Sequence, residues 1–87
     1  MQYVYILKSK KDNNLYVGCT KDIKNRFALH NSGQVESTRR RRPLELIHYE
    51  AFLDSKDAFA REQWLKTGCG KNHLQKMLSN YQKSLGW

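Results

Sequence analysis

Residues 15–30 read LYVGCTKDIKNRFALH, a short apolar run that breaks at a glycine and passes directly into a helical pattern. Tyr16 and Gly18 lie two positions apart, so they project from the same face of a strand. Because Gly18 has no side chain, it is predicted to leave a gap in which a ligand approaches the backbone. Ile23 and Phe27 recur at helical spacing and mark the inward face of the following helix. The stretch therefore predicts a strand-to-helix junction with space for a ligand beside it.

The helix in this stretch carries two polar residues close to its apolar face. Thr20 is placed to cap the helix, and Asp22 suits the positive end of its dipole. At about 100° per residue, Arg26 and His30 lie one turn apart at the edge of the face marked by Ile23. Either residue alone is typical of a polar side chain at the margin of a small core. We therefore expect a functional site here only if further polar groups converge on them.

The rest of the chain predicts a small α+β domain. Apolar patterns and turn residues place strands over 2–8, 15–19 and 44–53, and helices over 21–31, 55–67 and 71–83. This order of strand, strand, helix, strand, helix, helix predicts a three-stranded antiparallel sheet packed with three helices. The first strand is expected to be central because both of its faces are apolar. The length of 87 residues favours a single domain over 1–87.

Two further patterns refine this prediction. Gly33 is expected to end the first helix in a left-handed conformation, and Pro43 closes a polar, basic loop over 34–43. The last helix carries apolar residues at helical spacing, which we expect to face the core: Leu74, Met77, Leu78 and Tyr81.

The charge balance indicates a polyanionic partner. Lys and Arg number 16 against 8 Asp and Glu, which gives a net charge of +8 and favours nucleic acid. The basic run Arg39, Arg40, Arg41 and Arg42 precedes Pro43, where an amphipathic membrane helix would form poorly. We expect this run to contact phosphates without reading sequence, and a solvated loop with no dedicated role is the alternative.

Residues 1–8 show no basic leader before an apolar core, and no apolar run approaches the length of a membrane span. We therefore expect a cytoplasmic protein without a membrane partner, in which Cys19 and Cys69 stay reduced. Because there is no Cys-x-x-Cys pair, the two cysteines and three histidines give no signal of a metal site.

One carboxylate is oddly placed on the second predicted helix. Glu62 projects between Ala58 and Phe59, toward the core side. A carboxylate there is usually paired or bound to a metal, because its uncompensated desolvation is costly. The cations available for an ion pair are Arg26, Arg61 and Lys66.

These residues occur in an order that resembles the GIY-YIG nuclease domain. Tyr3-Val4-Tyr5 is followed after ten residues by Tyr16-Val17-Gly18, and then by Arg26, His30 and Glu62. The resemblance spans about residues 3–82 and is greatest to the small standalone bacterial members of the family. The segment from Thr38 to Pro43 and the pairs Arg61-Glu62 and Leu65-Lys66 are also similar to those members. The chain has Tyr3-Val4 where the family has Gly-Ile, and a later family asparagine could correspond to Asn72 or Asn80.

The resemblance implies a metal-dependent endonuclease that hydrolyses DNA phosphodiester bonds. Glu62 would hold one Mg²⁺ or Mn²⁺ ion, and Arg26 would bind the scissile phosphate. Tyr5 or Tyr16 would act as the base or position the attacking water, with His30 as a proton relay. A tyrosine base needs a pKa lowered from its usual value near 10, which nearby cations could supply. Which of these three groups takes the proton stays open.

A non-catalytic nucleic-acid-binding module on the same fold is the alternative, since basic charge alone fits it equally well. Duplex, branched and single-stranded DNA, and also RNA, stay open as substrates, with DNA repair or recombination as the expected setting. The chain shows no added element for reading bases. Sequence specificity is therefore expected to be low, or to come from DNA shape or a protein partner.

Overall fold

Strand β1 (Gln2–Ser9) lies at the centre of a three-stranded antiparallel sheet, between β2 (Leu15–Thr20) and β3 (Leu44–Phe52). The computed structural model describes residues 1–84. It confirms the predicted α+β class, the antiparallel pairing and the central position of the first strand. The predicted domain over 1–87 continues into residues that lie outside the described part of the chain.

The β1–β2 register determines which side chains share a face. Tyr5 pairs with Gly18, and Leu7 pairs with Tyr16. Directly opposed residues of an antiparallel pair project to the same side. Tyr5, Gly18 and Tyr16 therefore lie on one face of the sheet, which confirms the shared face predicted for Tyr16 and Gly18.

Helix α1 (Ile23–Asn31) covers this face and starts two residues later than predicted. Its N-cap is Asp22, whose carboxylate accepts the Asn25 N–H at 3.0 Å. Thr20 is therefore not the cap; its hydroxyl instead accepts the Asp22 N–H at 3.1 Å. The predicted left-handed conformation at Gly33 is confirmed, with φ +82°.

The predicted loop over 34–43 contains one turn of 3₁₀ helix, Arg39–Arg41, and ends in a cis Arg42–Pro43 bond. The side chain of Asn31 holds the point at which this loop joins β3. The amide of Asn31 donates to the Leu44 carbonyl at 3.0 Å and accepts the Leu44 N–H at 2.9 Å. The end of α1 and the start of β3 are therefore joined by two hydrogen bonds.

Helix α2 (Ser55–Leu65) packs on the opposite face of the sheet. The third predicted helix is two helices, α3 (Gly68–Met77) and α4 (Ser79–Ser84). They are separate because the backbone of Leu78 leaves the helical region, with ψ 21°. Within residues 1–84, the sheet is therefore accompanied by four α-helices rather than the three predicted.

The core lies mainly between the sheet and α2 with α3. It is formed by six buried apolar residues: Val4, Ile6, Val17, Ala58, Leu65 and Leu74. Of the residues predicted to face the core from the last helix, Leu74 and Leu78 pack in it. The prediction is wrong for Met77, which is 36% exposed. Tyr81 instead donates its hydroxyl hydrogen bond to Glu45 at 2.6 Å. No helix within residues 1–84 combines the length and the apolar character needed to span a bilayer.

Candidate active site

Tyr5 lies at the centre of a polar cluster on the α1 face of the sheet. Its side chain is only 3% exposed and passes over Gly18 on the neighbouring strand. A Cβ atom at position 18 would lie 2.3 Å from the Tyr5 hydroxyl. The gap at Gly18 therefore seats the Tyr5 phenol, and the approach of a ligand to the Gly18 backbone stays a prediction.

His30 joins this phenol to the loop that follows α1. Its Nε2 lies 2.9 Å from the Tyr5 hydroxyl, and its Nδ1 lies 2.7 Å from the Thr38 hydroxyl. The His30 and Thr38 side chains are fully buried. Thr38, His30 and Tyr5 thus form a continuous hydrogen-bonded chain through the interior.

The buried imidazole of His30 is neutral at physiological pH. Burial lowers its pKa from 6.5 to about 4, and the nearby charge of Arg26 contributes in the same direction. A neutral imidazole donates from one ring nitrogen and accepts at the other. The hydrogen bonds to Tyr5 and Thr38 use one nitrogen each, so together they set which nitrogen carries the proton.

Arg26 approaches the same phenol from the exposed side of α1. Its Nε donates to the Tyr5 hydroxyl at 3.5 Å, the long limit of a hydrogen bond. This contact is the main reason that the pKa of Arg26 is raised, and Tyr16 adds to the effect. Because a guanidinium has five N–H donors, Arg26 can bind an anion while keeping its contact to Tyr5.

The second phenol, Tyr16, packs on the same cluster but is accessible from outside. Its ring lies 5.1 Å from the His30 ring and 6.3 Å from the Tyr5 ring. Tyr16 is half-buried and lines a cleft of about 620 Å³, whose lining also includes Lys66 and Lys71. Of the two phenols, Tyr16 is therefore the one that a molecule in this cleft can touch.

The pKa of Tyr5 is raised, contrary to the lowered value expected of a base. Burial is the largest cause, and it outweighs the lowering effect of the hydrogen bond from Arg26. The negative charge of Glu62 also raises the Tyr5 pKa. Tyr5 is therefore protonated at neutral pH and serves as a hydrogen-bonding group of the cluster.

Glu62 lies on α2, the helix that packs on the other face of the sheet. Its side chain is 13% exposed, and its carboxylate lies 3.5 Å from the Lys66 ammonium. The ion pair predicted for Glu62 is therefore confirmed, and its partner is Lys66. The charge of Glu62 contributes to the raised pKa of Tyr5, after burial and the charge of Tyr16, so this acid and this phenol are electrostatically coupled.

The four arginines that precede Pro43 differ in their surroundings. Arg41 donates to the Asp12 carboxylate at 3.2 Å, and Arg42 donates to the backbone carbonyl of Arg39 at 2.8 Å. Arg39 and Arg40 are exposed. The run therefore does not present four equivalent cations, because two of its guanidinium groups help to hold the loop.

Thr38 contacts His30, but the sequence indicated this residue only as part of a segment that resembles the family. Its contact with His30 crosses a loop with no periodic pattern, so no helix or strand spacing could have found it. Asn72 on α3 and Asn80 on α4 are both exposed. Their part in the site stays a prediction.

Comparison with known proteins gives the same family over most of the chain. The model of the GIY-YIG catalytic domain matches residues 1–76. A UPF0213 protein of Clostridium perfringens is 37% identical over 92 residues that cover 98% of each chain. A second UPF0213 protein, from Staphylococcus haemolyticus, is 44% identical over 66 residues, covering 75% of this chain and 79% of the relative.

A solved relative also shares the fold. The solution NMR structure of a UPF0213 protein from Bacillus halodurans aligns with a TM-score of 0.56 at 34% identity. The alignment covers 88% of this chain and 85% of that one. From the family match, the sequence identities and the shared fold, we conclude that this chain belongs to the GIY-YIG family.

Proposed function

We propose that this protein is an endonuclease that hydrolyses DNA phosphodiester bonds with the help of one divalent cation. The observation that carries the proposal is a set of four side chains in contact, from three separate elements, together with a carboxylate on α2 whose charge acts on one of them. They are two phenols, a guanidinium, a neutral imidazole and a carboxylate: Tyr5, Tyr16, Arg26, His30 and Glu62. A protein that only binds nucleic acid has no need of a buried chain of hydrogen-bonded side chains with an acid coupled to it.

Arg26 is the group best suited to hold the scissile phosphate. Hydrolysis builds negative charge on the non-bridging oxygens, and preorganised donors that meet this charge lower the barrier. The planar guanidinium offers two parallel donors to such oxygens, which a lysine does not. Its Nε lies against the buried Tyr5 hydroxyl, so the guanidinium is directed toward the cluster.

Tyr16 is the group best placed to orient the attacking water. Tyr16 is half-buried and packs on the His30 ring, whereas Tyr5 is buried and hydrogen-bonded to His30. Tyr5 then holds the guanidinium, and His30 with Thr38 holds Tyr5. The neutral imidazole donates from one ring nitrogen and accepts at the other, so it holds both hydroxyl groups without placing a charge in the interior.

The carboxylate of Glu62 is also a suitable ligand for a divalent cation of the magnesium type. Within residues 1–84, no three side chains of His, Cys, Asp or Glu come together as a metal site. One carboxylate suits Mg²⁺ or Mn²⁺, because such hard cations take oxygen ligands and keep several waters. Glu62 would hold the ion, with its partner Lys66 turning into solvent. The cation would supply neutralisation of the phosphate and of the leaving oxygen.

Arg39 and Arg40 are proposed as phosphate contacts outside the reacting site. Both are exposed, and they lie directly after Thr38 on the loop that supports His30. Contacts of this kind give affinity that falls with salt and does not depend on base sequence. Arg39 and Arg40 would position the DNA backbone, and the cluster around Tyr5 would carry out the hydrolysis.

The decisive experiment replaces the carboxylate with an amide of the same shape. Glu62→Gln should lower the cleavage rate by about a hundredfold or more, the scale on which removal of one charge-stabilising group acts. Nicking of plasmid and of labelled duplex, branched and single-stranded DNA is measured with Mg²⁺ and with Mn²⁺. Glu36→Gln, which alters an exposed acid on the loop, is the matched control and should leave the rate unchanged.

Affinity measured without metal separates the two functions. Glu62→Gln should bind DNA as well as the natural protein does, since only the reacting groups change. A natural protein that binds DNA but cuts none of these substrates with either metal would favour the binding module. Equal loss of cleavage in Glu62→Gln and Glu36→Gln would show that Glu62 has no special part.

A further inference from the structure

A second groove, of about 610 Å³, lies on the same face of the sheet as the candidate active site. It runs between α1 and the strands β1 and β3. Aromatic and apolar side chains form most of its lining, including Tyr3, Phe27, Leu46 and Tyr49. Neither the nuclease chemistry nor the basic loop uses these residues.

The floor of this groove presents aromatic surface to the solvent. Tyr49 is 56% exposed, and its ring packs edge-to-face with Tyr3 at a centroid distance of 6.1 Å. A single exposed aromatic residue is ordinary, but a contacting pair inside a groove is typical of a binding surface. Because the rings meet edge to face, they are not stacked on each other and leave aromatic surface for a ligand.

The rim of the groove is cationic. Lys21 and Lys24 are both exposed at its edge. The one acid in the lining, Asp22, caps α1, where its carboxylate accepts the Asn25 N–H. Aromatic surface beside lysines complements a nucleotide, since the base can stack on the ring while its phosphates meet the ammonium groups.

The strand register connects the groove to the candidate active site. Tyr49 lies directly opposite Tyr5 in the β1–β3 pair, and Tyr3 lies two residues from Tyr5 on the same face. Opposed Cα atoms of antiparallel strands are separated by about 4.5–5.5 Å. A phosphate held by Arg26, beside Tyr5, therefore places its neighbouring nucleotide within reach of the groove.

We propose that this groove stacks an unpaired nucleobase next to the phosphate that is cleaved. The position of that phosphate rests on the proposed function, whereas the stacking itself does not. A base within an intact duplex cannot lie flat on a side chain, so the ligand is a base free of its partner strand. Such a base can come from a single strand or from the open arm of a branched duplex.

The test measures binding without metal, so that it does not depend on cleavage. Tyr49→Ser should weaken binding of a single-stranded oligonucleotide by about 5- to 100-fold, the range for loss of one base–aromatic stack. Tyr49→Phe keeps the ring and should bind normally. Phe59→Ser removes another exposed aromatic, 60% exposed on α2, and is the matched control that should bind as the natural protein does.

The oligonucleotide supplies the second arm of the test. If the base stacks on Tyr49, an oligonucleotide of abasic sites should bind the natural protein and Tyr49→Ser equally. A forked duplex should show the Tyr49→Ser effect if the base comes from an open arm, and a blunt duplex should not show it.

An effect of Tyr49→Ser that is as large on abasic or blunt duplex DNA would overturn the proposal, as would normal binding by Tyr49→Ser. A change in the sedimentation of the protein alone, with normal DNA affinity, would assign the groove to contact between copies of the chain. Failure of the natural protein to cleave would leave the base-dependent effect of Tyr49→Ser intact, so the two proposals can fail separately.

Discussion

The two faces of the sheet are built on different principles. The face under α2 and α3 is apolar, and its six buried residues form the main core of the domain. The face under α1 buries a phenol, an imidazole and a hydroxyl that are joined by hydrogen bonds, in Tyr5, His30 and Thr38. Polar groups are costly to bury, so the stability that holds them in place comes mainly from the opposite face.

This difference predicts how each face responds to substitution. Changes on the core face should act on the free energy of unfolding through lost packing. Changes on the α1 face should act on protonation and on the geometry of the site, with smaller costs in stability. Three experiments test this contrast, beginning with the largest effect.

Leu65→Ala should lower the free energy of unfolding by about 2–5 kcal/mol, because Leu65 is fully buried and its truncation leaves a cavity. Urea denaturation followed by circular dichroism measures the change. Leu53→Ala is the control, since Leu53 is 90% exposed and its loss should cost less than about 0.5 kcal/mol. Similar losses in both variants would show that the α2 face is not the main source of stability.

Acidification should destabilise the domain by about 3 kcal/mol between pH 7 and pH 4, through His30. Its folded pKa is about 4 against 6.5 when unfolded, so in this window the unfolded chain binds a proton that the folded chain excludes. The free energy of unfolding therefore falls as the pH falls. Hydrogen bonding from Arg61 lowers the pKa of Glu50 below its ordinary 4.5, so loss of that charge acts mainly at lower pH.

Urea denaturation at a series of pH values checks this slope. His30→Gln cannot take up the proton and should show little change in stability between pH 7 and 4.5. His73→Gln, on α3, should keep the slope of the natural protein. A slope that survives in His30→Gln would place the titrating group elsewhere.

Thr38→Val should have the smallest effect of the three, about 1 to 2 kcal/mol, because it leaves Nδ1 of His30 without its partner. Nitrogen NMR shifts of the imidazole report which nitrogen carries the proton and should change in Thr38→Val. Thr38→Ser restores the hydroxyl and should restore the shifts. An unchanged spectrum in Thr38→Val would mean that Tyr5 alone orients the ring.

Much of the site could be predicted as a set of residues but not as an arrangement. The period of two placed Gly18 and Tyr16 on one face of their strand, and the helical period placed Arg26 beside His30, whereas the register between strands brought Tyr5 to the same face. That Tyr5 fills the gap at Gly18 could not be predicted, because strand alternation does not show which neighbouring side chain enters a gap. The raised pKa of Tyr5 could not be predicted, because burial, which depends on the whole fold, outweighs the nearby guanidinium.

Some features of the fold could likewise be predicted from the sequence, and others could not. The central strand and the order of the elements follow from local patterns of apolar residues. The break of the last helix at Leu78 and the cap at Asp22 depend on backbone conformation and single hydrogen bonds, which periodicity does not encode.

The sequence by itself therefore determined the class of fold, the basic charge and the residue types of the site, because these follow from composition and from the periods of strands and helices. Only the tertiary structure decided that His30 is neutral and held by Thr38, that Tyr5 is protonated, and that Glu62 acts from the opposite side of the sheet. Protonation and hydrogen-bond partners depend on burial and on distances between residues far apart in the chain, and no local pattern of residues specifies those distances.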